Sequence, residues 1–182
     1  APCSGRSSRA RTAVPGAPSC GEWQATDDEP DIPMKPIPDG FLPVNDLLDM
    51  VTTFESRIGP FYHRPAATGH AFGIWLEQHH ANVRGTGHGG FMAAWSDLVC
   101  GLTTYFHRGK TDAAFVTVSL SHHFVGSAPI GVWLQSAGRV RKAGRSTIFV
   151  DCEHFAGDEL VGTAQAVMKT IGGRADALKP DF

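Results

Sequence analysis

"RGTGHGGFMAAWSDLVCG", residues 84–101, decides how the rest of the chain is read. It opens with glycines around His88 and continues as an apolar run through Phe91, Met92, Ala93, Ala94, Trp95, Leu98, Val99 and Cys100. A helix that is apolar on nearly all sides is a buried one. The pattern predicts such a helix from 88 to about 106. Ser96 and Asp97 are its only polar residues between 91 and 100. An ionised carboxylate in that setting is costly unless it is paired or hydrogen-bonded. Two readings follow. Asp97 belongs to a polar stripe facing water, or it is held in a cleft where burial moves its pKa toward the duty of a base.

The glycines bear on the same question. Gly85, Gly87 and Gly90 satisfy G-x-G-x-x-G between a strand and a helix, the pattern of a dinucleotide-binding turn. The context is wrong for it. Four strand-like segments and no second crossover helix follow, so no parallel sheet can be built. No Gly-Lys-Ser/Thr follows either, which excludes a P-loop. The first N–H groups of a helix have no intrahelical partner and sit at the positive end of its dipole. With no Cβ at Gly89 and Gly90, a substrate oxygen can approach them closely, as in an oxyanion hole. The plainer alternative is a tight turn that permits close packing.

His88 and Asp97 lie nine residues apart. On a helix this is about 900°, or two turns and a half, with a rise of about 13.5 Å. Their side chains point to opposite sides of one helix and cannot serve one site within one chain. If both are catalytic, two antiparallel copies of the helix lie side by side, and each site takes His88 from one chain and Asp97 from the other.

Outward from this stretch the elements are simple. "PVNDLLDMVTTFESRIG" places Leu47, Leu48, Val51 and Phe54 at helical spacing, with Asn45 to cap and Gly59 to end it. "PFYHRPAATGHAFGIWLEQ" reads as two short strands with a turn near 67–69. After the long helix, "AAFVTVSLSHHFV" alternates Val116, Val118 and Leu120 with Thr117, Ser119 and Ser121. Three more strand candidates follow, separated by "GSAPIG", "RKAGR" and "AGDE", a spacing that suits an antiparallel meander. The expected class is α+β, with about five to six antiparallel strands wrapped around one helix. Such a layer leaves an edge and a face uncovered, which pairing two subunits edge to edge would close.

The 182 residues suffice for one core. Residues 1–40 read as a disordered or extended lead-in, 41–174 as the domain and 175–182 as a tail. The first 21 residues carry Arg6, Arg9 and Arg11 and no acid. They read as a disordered tail, with a transit peptide for organellar import as the alternative. The net charge is −2, and without those three arginines 13 basic residues face 18 acids. Nothing in this balance argues for nucleic acid or an anionic membrane. No apolar run approaches the roughly 18 to 20 residues of a membrane span. Cys3, Cys20, Cys100 and Cys152 form no close pair in sequence. A reducing compartment, the cytoplasm, is the better expectation. Adjacent histidines at 79–80 and 122–123 face opposite sides of a strand, so neither pair reads as a metal site.

"HHANVRGTGHGGFMAAWSDLVCGL" resembles the Asn-x(5)-His-Gly-Gly-x(7)-Asp signature of hotdog-fold acyl-CoA thioesterases, closest to the PaaI-like group acting on phenylacetyl-CoA and 4-hydroxybenzoyl-CoA. Asn82, His88, Gly89, Gly90 and Asp97 match in type and spacing. "IGPFYHR" at 58–64 also looks like the start of the strand in longer members. The likeness covers about 40–172. It implies a hotdog fold, a homodimer or a dimer of dimers, and a site shared between subunits. It implies that the Gly89 N–H polarises the thioester carbonyl while His88 and Asn82 help position it. Asp97 of the other subunit would act as general base on water or as nucleophile. Thr117, in "FVTVSL", best matches the Ser or Thr that supports the carboxylate, although the connection to it is slightly longer here. No cofactor is implied, coenzyme A being part of the substrate. Arg139, Arg141, Lys142 and Arg145 crowd one strand-turn-strand corner, as expected of a site for the nucleotide phosphates or of a solvated hairpin tip. Trp75, Phe91, Trp95 and Phe115 could line an acyl pocket or belong to the core.

Two other functions compete. "HHFVG" at 122–126 resembles the His-Phe-Pro-Gly motif of acyl thioester dehydratases, but that motif should precede the central helix and here follows it. The third reading is a non-catalytic module that binds acyl-CoA, against which the intact Asp97 argues.

Overall fold

A computed structural model describes residues 35–44, 53–67, 69–109 and 114–171. The N-terminal tail, both tail cysteines and the 175–182 tail lie outside the described residues, as do Asn45, Leu47, Leu48 and Val51 of the expected first helix. Over the end of that segment lies a separate short helix, α1 (Phe54–Ile58), which begins after the extended Thr53 rather than continuing through it, and stops at Gly59 as expected. Phe54 is exposed there.

The strands are β1 (Leu42–Pro43), β2 (Tyr62–Ala66), β3 (Gly69–Trp75), β4 (Ala114–Phe124), β5 (Trp133–Ala143), β6 (Thr147–Ala156) and β7 (Glu159–Ile171). They form one seven-stranded sheet in the order β1-β2-β3-β5-β6-β7-β4. Every neighbouring pair is antiparallel. The long helix α2 (Gly89–Arg108) packs across one face against β3 to β7. This is the hotdog arrangement that the resemblance implies, with the two-residue β1 as the strand beyond the expected number.

The plain meander holds only for β5-β6-β7. Leaving α2, the chain runs to the far edge of the sheet, where β4 pairs with β7, and then returns to place β5 beside β3. Local alternation identifies a strand but does not name its partner, which is why the sequence pattern could not place β4. A bulge between Thr117 and Ser119 also breaks the expected alternation. Thr117 meets Met168 on the helix side of the sheet, and after the bulge Leu120 packs on the core. Val116 and Val118 remain 41% and 61% exposed, so they are no part of that core.

The core lies between α2 and the sheet. Trp95, Val99 and Cys100 of α2 meet Phe72, Ile74, Leu134, Ile148, Val150 and Cys152, all buried. Trp95 stacks on Phe61, its ring centroid 5.4 Å away. Gly138 of β5 lets the helix come this close. A Cβ there would stand 1.8 Å from Thr103 Oγ1 and 2.9 Å from Thr103 Cβ. Gly138→Ala therefore must push α2 off the sheet, and overpacking of this kind costs about 1–3 kcal/mol. The expected result is a lower urea midpoint at unchanged slope. An unchanged midpoint would show that the helix yields freely.

The other face of the sheet is covered near β3 by a small aromatic group. Trp133 lies against Gly73 and contacts Phe41, Tyr62 and Trp75, with ring centroids 5.1, 5.7 and 5.4 Å away. Lys35 lies over Trp75, 4.9 Å from the ring centroid, and donates to the Gly131 carbonyl at 3.0 Å. Chain within the expected lead-in thus packs on the domain, and Trp75 belongs to this cover.

Candidate active site

The start of α2 is set by three loops of hydrogen bonds. Asn82 closes the turn before it: its Oδ1 accepts from Arg84 N at 2.8 Å and Thr86 N at 3.3 Å, and its Nδ2 donates to Thr86 Oγ1 at 2.9 Å. His88 caps the helix, its Nδ1 accepting from Gly90 N at 2.9 Å. His80 fixes the same corner from behind. Its Nδ1 accepts from Glu77 N at 2.9 Å, its Nε2 meets the Ile58 carbonyl at 3.0 Å, and its backbone carbonyl accepts from His88 N at 2.7 Å.

This cap decides which N–H groups face outward. Gly90 N–H, expected to bind substrate, is taken by the His88 ring. Among the described residues no acceptor lies on the Gly89 N–H, which is left for an incoming oxygen. Because Nδ1 of His88 accepts, its Nε2 carries the proton and is a donor. Gly89 opens on a recess lined by Asn82, Thr86, Met92, Phe124, Ala128 and Val161, about 200 Å³ in volume. None of the four large aromatic candidates lines it. Trp95 and Phe91 are core, Phe115 packs on the core, and Trp75 is on the other face. Phe124 and Met92, which do line it, carry no distinguishing mark in the sequence.

Asp97 is exposed on the opposite part of α2, and Thr117 Oγ1 donates to its Oδ1 at 2.6 Å. The bulge in β4 brings Thr117 to this position despite the longer connection. Ser96, beside it in sequence, is a full 100° round the helix. It is buried and has no exposed surface. Ser96 Oγ lies 2.7 Å from both His122 Nδ1 and His154 Nε2 and 2.9 Å from the Met92 carbonyl. His154 Nδ1 in turn lies 2.6 Å from Ser136 Oγ, which accepts from Trp95 Nε1 at 2.7 Å. The expected polar pair thus splits, one residue to water and one to a buried chain of hydrogen bonds. That chain was hidden because the outward and inward members of His122–His123 look alike in sequence.

Burial lowers the pKa of His80 and of His122 to about 4 each, and neighbouring histidines add to the shift. Both are neutral in the fold, whereas the unfolded chain takes up protons below about pH 6.5. Stability from these groups is therefore complete above pH 6.5 and is lost as pH falls toward 4. The unfolding midpoint is expected to drop between pH 7.5 and 5, and His80→Gln should flatten that slope. An identical slope in the variant would remove His80 from the account.

The basic corner stands apart from Gly89 within one chain. Arg108, at the end of α2, donates to the Gly144 carbonyl in the β5–β6 turn at 2.8 Å. Arg145 is thus at the far end of a helix about 30 Å long. Arg141 is paired with Asp151, and Arg139 lies on the outer, solvent face of the sheet. Among the described residues no cluster of three or more His, Cys, Asp or Glu is arranged to hold a metal ion. No described helix is long and apolar enough to cross a membrane.

The family model "Thioesterase superfamily" matches residues 84–163, which run from the helix cap into β7. A Pseudomonas aeruginosa protein named "Putative esterase PA0474" is 32% identical over 138 residues, covering 74% of this chain and 97% of that protein. The chain belongs to the thioesterase superfamily. Solved structures agree in fold. The Streptococcus mutans UA159 protein smu.793, bound to acetyl CoA, is 26% identical with a TM-score of 0.58, over 70% of this chain and 98% of that one. A Ralstonia eutropha JMP134 "phenylacetic acid degradation-related protein" is 22% identical with a TM-score of 0.56, over 74% of this chain and 92% of that one. In this thioesterase-superfamily chain, the His88 cap and Asp97 stand at different points along one helix, α2.

Proposed function

We propose that the protein is an acyl-CoA thioesterase of the PaaI-like group, working as a homodimer with two composite sites. The observation that carries this is the free Gly89 N–H at the mouth of a recess, on the same helix as a carboxylate held by Thr117. Gly89 and Asp97 are eight residues apart, about 12 Å along the axis. A carbonyl held at Gly89 is then out of reach of Asp97 in the same chain, since reacting atoms must approach to about 3–3.5 Å. A second copy supplies the missing half. The open edge of β4, with Val116 and Val118 exposed, is where it would add. Antiparallel pairing of the helices also brings the Arg145 corner of one chain toward the Gly89 end of the other, where Arg139, Arg141, Lys142 and Arg145 would meet the coenzyme phosphates. That smu.793 binds acetyl CoA supports the substrate class.

In this reading the thioester oxygen lies on the Gly89 N–H and the His88 Nε2–H, while Asn82 holds the loop that aims them. Asp97 of the partner takes a proton from water as its oxygen adds to the carbonyl carbon, or adds directly as nucleophile. The C–S bond then breaks: in the base route Asp97 passes its proton to the coenzyme thiolate, and in the nucleophile route a water hydrolyses the acyl–Asp97 anhydride to free acid and supplies the thiolate's proton. The test is release of free thiol from a panel of acyl- and aroyl-CoAs, with an enoyl-CoA included. Hydrolysis of at least one member at enzymatic rates is expected. Binding without release would make the protein a non-catalytic acyl-CoA module, and hydration of the enoyl thioester would make it a hydratase.

A further inference from the structure

Phe124 ends β4 at the wall of the recess, and its ring is 62% exposed. It stands beside Gly89, whose N–H is the proposed oxyanion donor. A Cβ placed on Gly89 would meet Phe124 Cε1 and Cζ at 3.4 Å. The ring is held from two directions. On one side it contacts His122, with ring centroids 4.3 Å apart. His122 is in turn held by Ser96 of α2, the helix that carries Gly89. Gly162 makes room for this, because a Cβ there would press on both His122 and His154 at 3.1 Å. On the other side the backbone just after Phe124 is pinned, with Val125 N and Gly126 N both donating to the Val161 carbonyl at 3.0 Å. The remaining apolar lining, Met92, Ala128 and Val161, leaves Phe124 as the bulkiest group beside the Gly89 N–H.

We propose that Phe124, braced by His122 against the catalytic helix, is the wall that sets acyl size at this site and restricts it to compact acyl groups. The proposal rests on the thioesterase reading. The geometry gives it a direction. Removing the ring widens the space next to the polarised carbonyl, and enlarging it closes that space. A change of one or a few methylenes in such a pocket shifts selectivity by about ten- to two-hundred-fold.

The test compares kcat/KM for octanoyl-CoA and acetyl-CoA. Phe124→Ala is expected to raise the octanoyl-to-acetyl ratio about tenfold or more, and Phe124→Trp to lower it. His122→Ala, which removes the brace but not the wall, should move the ratio in the same direction as Phe124→Ala and by less. Opposite shifts in the Ala and Trp variants are not produced by a general loss of structure. Phe124→Leu replaces Phe124→Ala in the comparison if the latter does not fold. If the wild type hydrolyses acyl-CoA and neither substitution at 124 moves the ratio, the wall is wrong while the thioesterase reading stands. If the wild type neither hydrolyses nor binds any acyl-CoA, the thioesterase reading fails and the wall falls with it.

Discussion

Asp97→Asn is expected to leave the fold intact and to lower thiol release from acyl-CoA by about 10² to 10⁴. The substitution keeps the shape of the side chain and keeps an oxygen to accept from Thr117 Oγ1, which now lies 2.6 Å from the carboxylate. It removes the capacity to take a proton or to add to a carbonyl. Because Asp97 is exposed in the single chain, no core contact is lost, and the urea midpoint should move little. The loss should therefore fall on kcat with KM close to unchanged, the pattern of an interaction made at the transition state. Near-normal turnover in the variant would return Asp97 to the solvent stripe that the sequence also allowed.

The second large effect is a recovery. His88→Ala and Asp97→Asn are each expected to be nearly inactive as homodimers. Mixed in equal amounts and allowed to exchange subunits, about half of the dimers should be mixed by random pairing. In a mixed dimer one site receives both substitutions and the other receives neither. About a quarter of all sites should regain function, because the two residues, about two and a half turns apart on a 3.6-residue helix, point to opposite sides of it and serve different sites. With exchange verified by mass-tagged chains, activity that stays at the level of the separate variants would rule out the shared site.

Much of this site is legible in the sequence because its elements are local. The α2 helix announces itself through a continuous apolar run that a capping His88 and two glycines introduce, and the nine-residue offset between His88 and Asp97 follows from helix geometry alone. The β2–β3 hairpin and the β5-β6-β7 meander are likewise set by short turns between alternating segments. What the sequence conceals is non-local. The position of β4 depends on pairing with β7 rather than on its own pattern, and the bulge at Val118 reverses which side chains face inward. Ser96 and Asp97 are neighbours in the chain, yet the helix sends one to the buried His154 and the other to water. Gly89 and Gly90 look equivalent, yet the His88 ring occupies the N–H of only one. Phe124 becomes a candidate only when its ring is seen beside Gly89.

The edge position of β4 also has a consequence for the order in which the molecule is made. Thr117, which holds Asp97, sits in a strand whose hydrogen-bonded partner is β7, and its contact with Met168 spans 51 residues of chain. Contacts that distant in sequence form late, after the loop between them has been closed. During synthesis, which proceeds from the N-terminus, β4 leaves the ribosome with no strand to pair with until β7 has followed it. Throughout that interval it exposes Val116, Val118 and a free backbone edge. The helix cap at Gly89 is complete from nearby residues well before then. Under the proposed function, competence to react would arrive in two stages, the Gly89 donor first and the supported carboxylate only with the last described strand. Chains cut short within β7 would carry a finished cap and an unsupported Asp97, together with an edge open to the wrong partners.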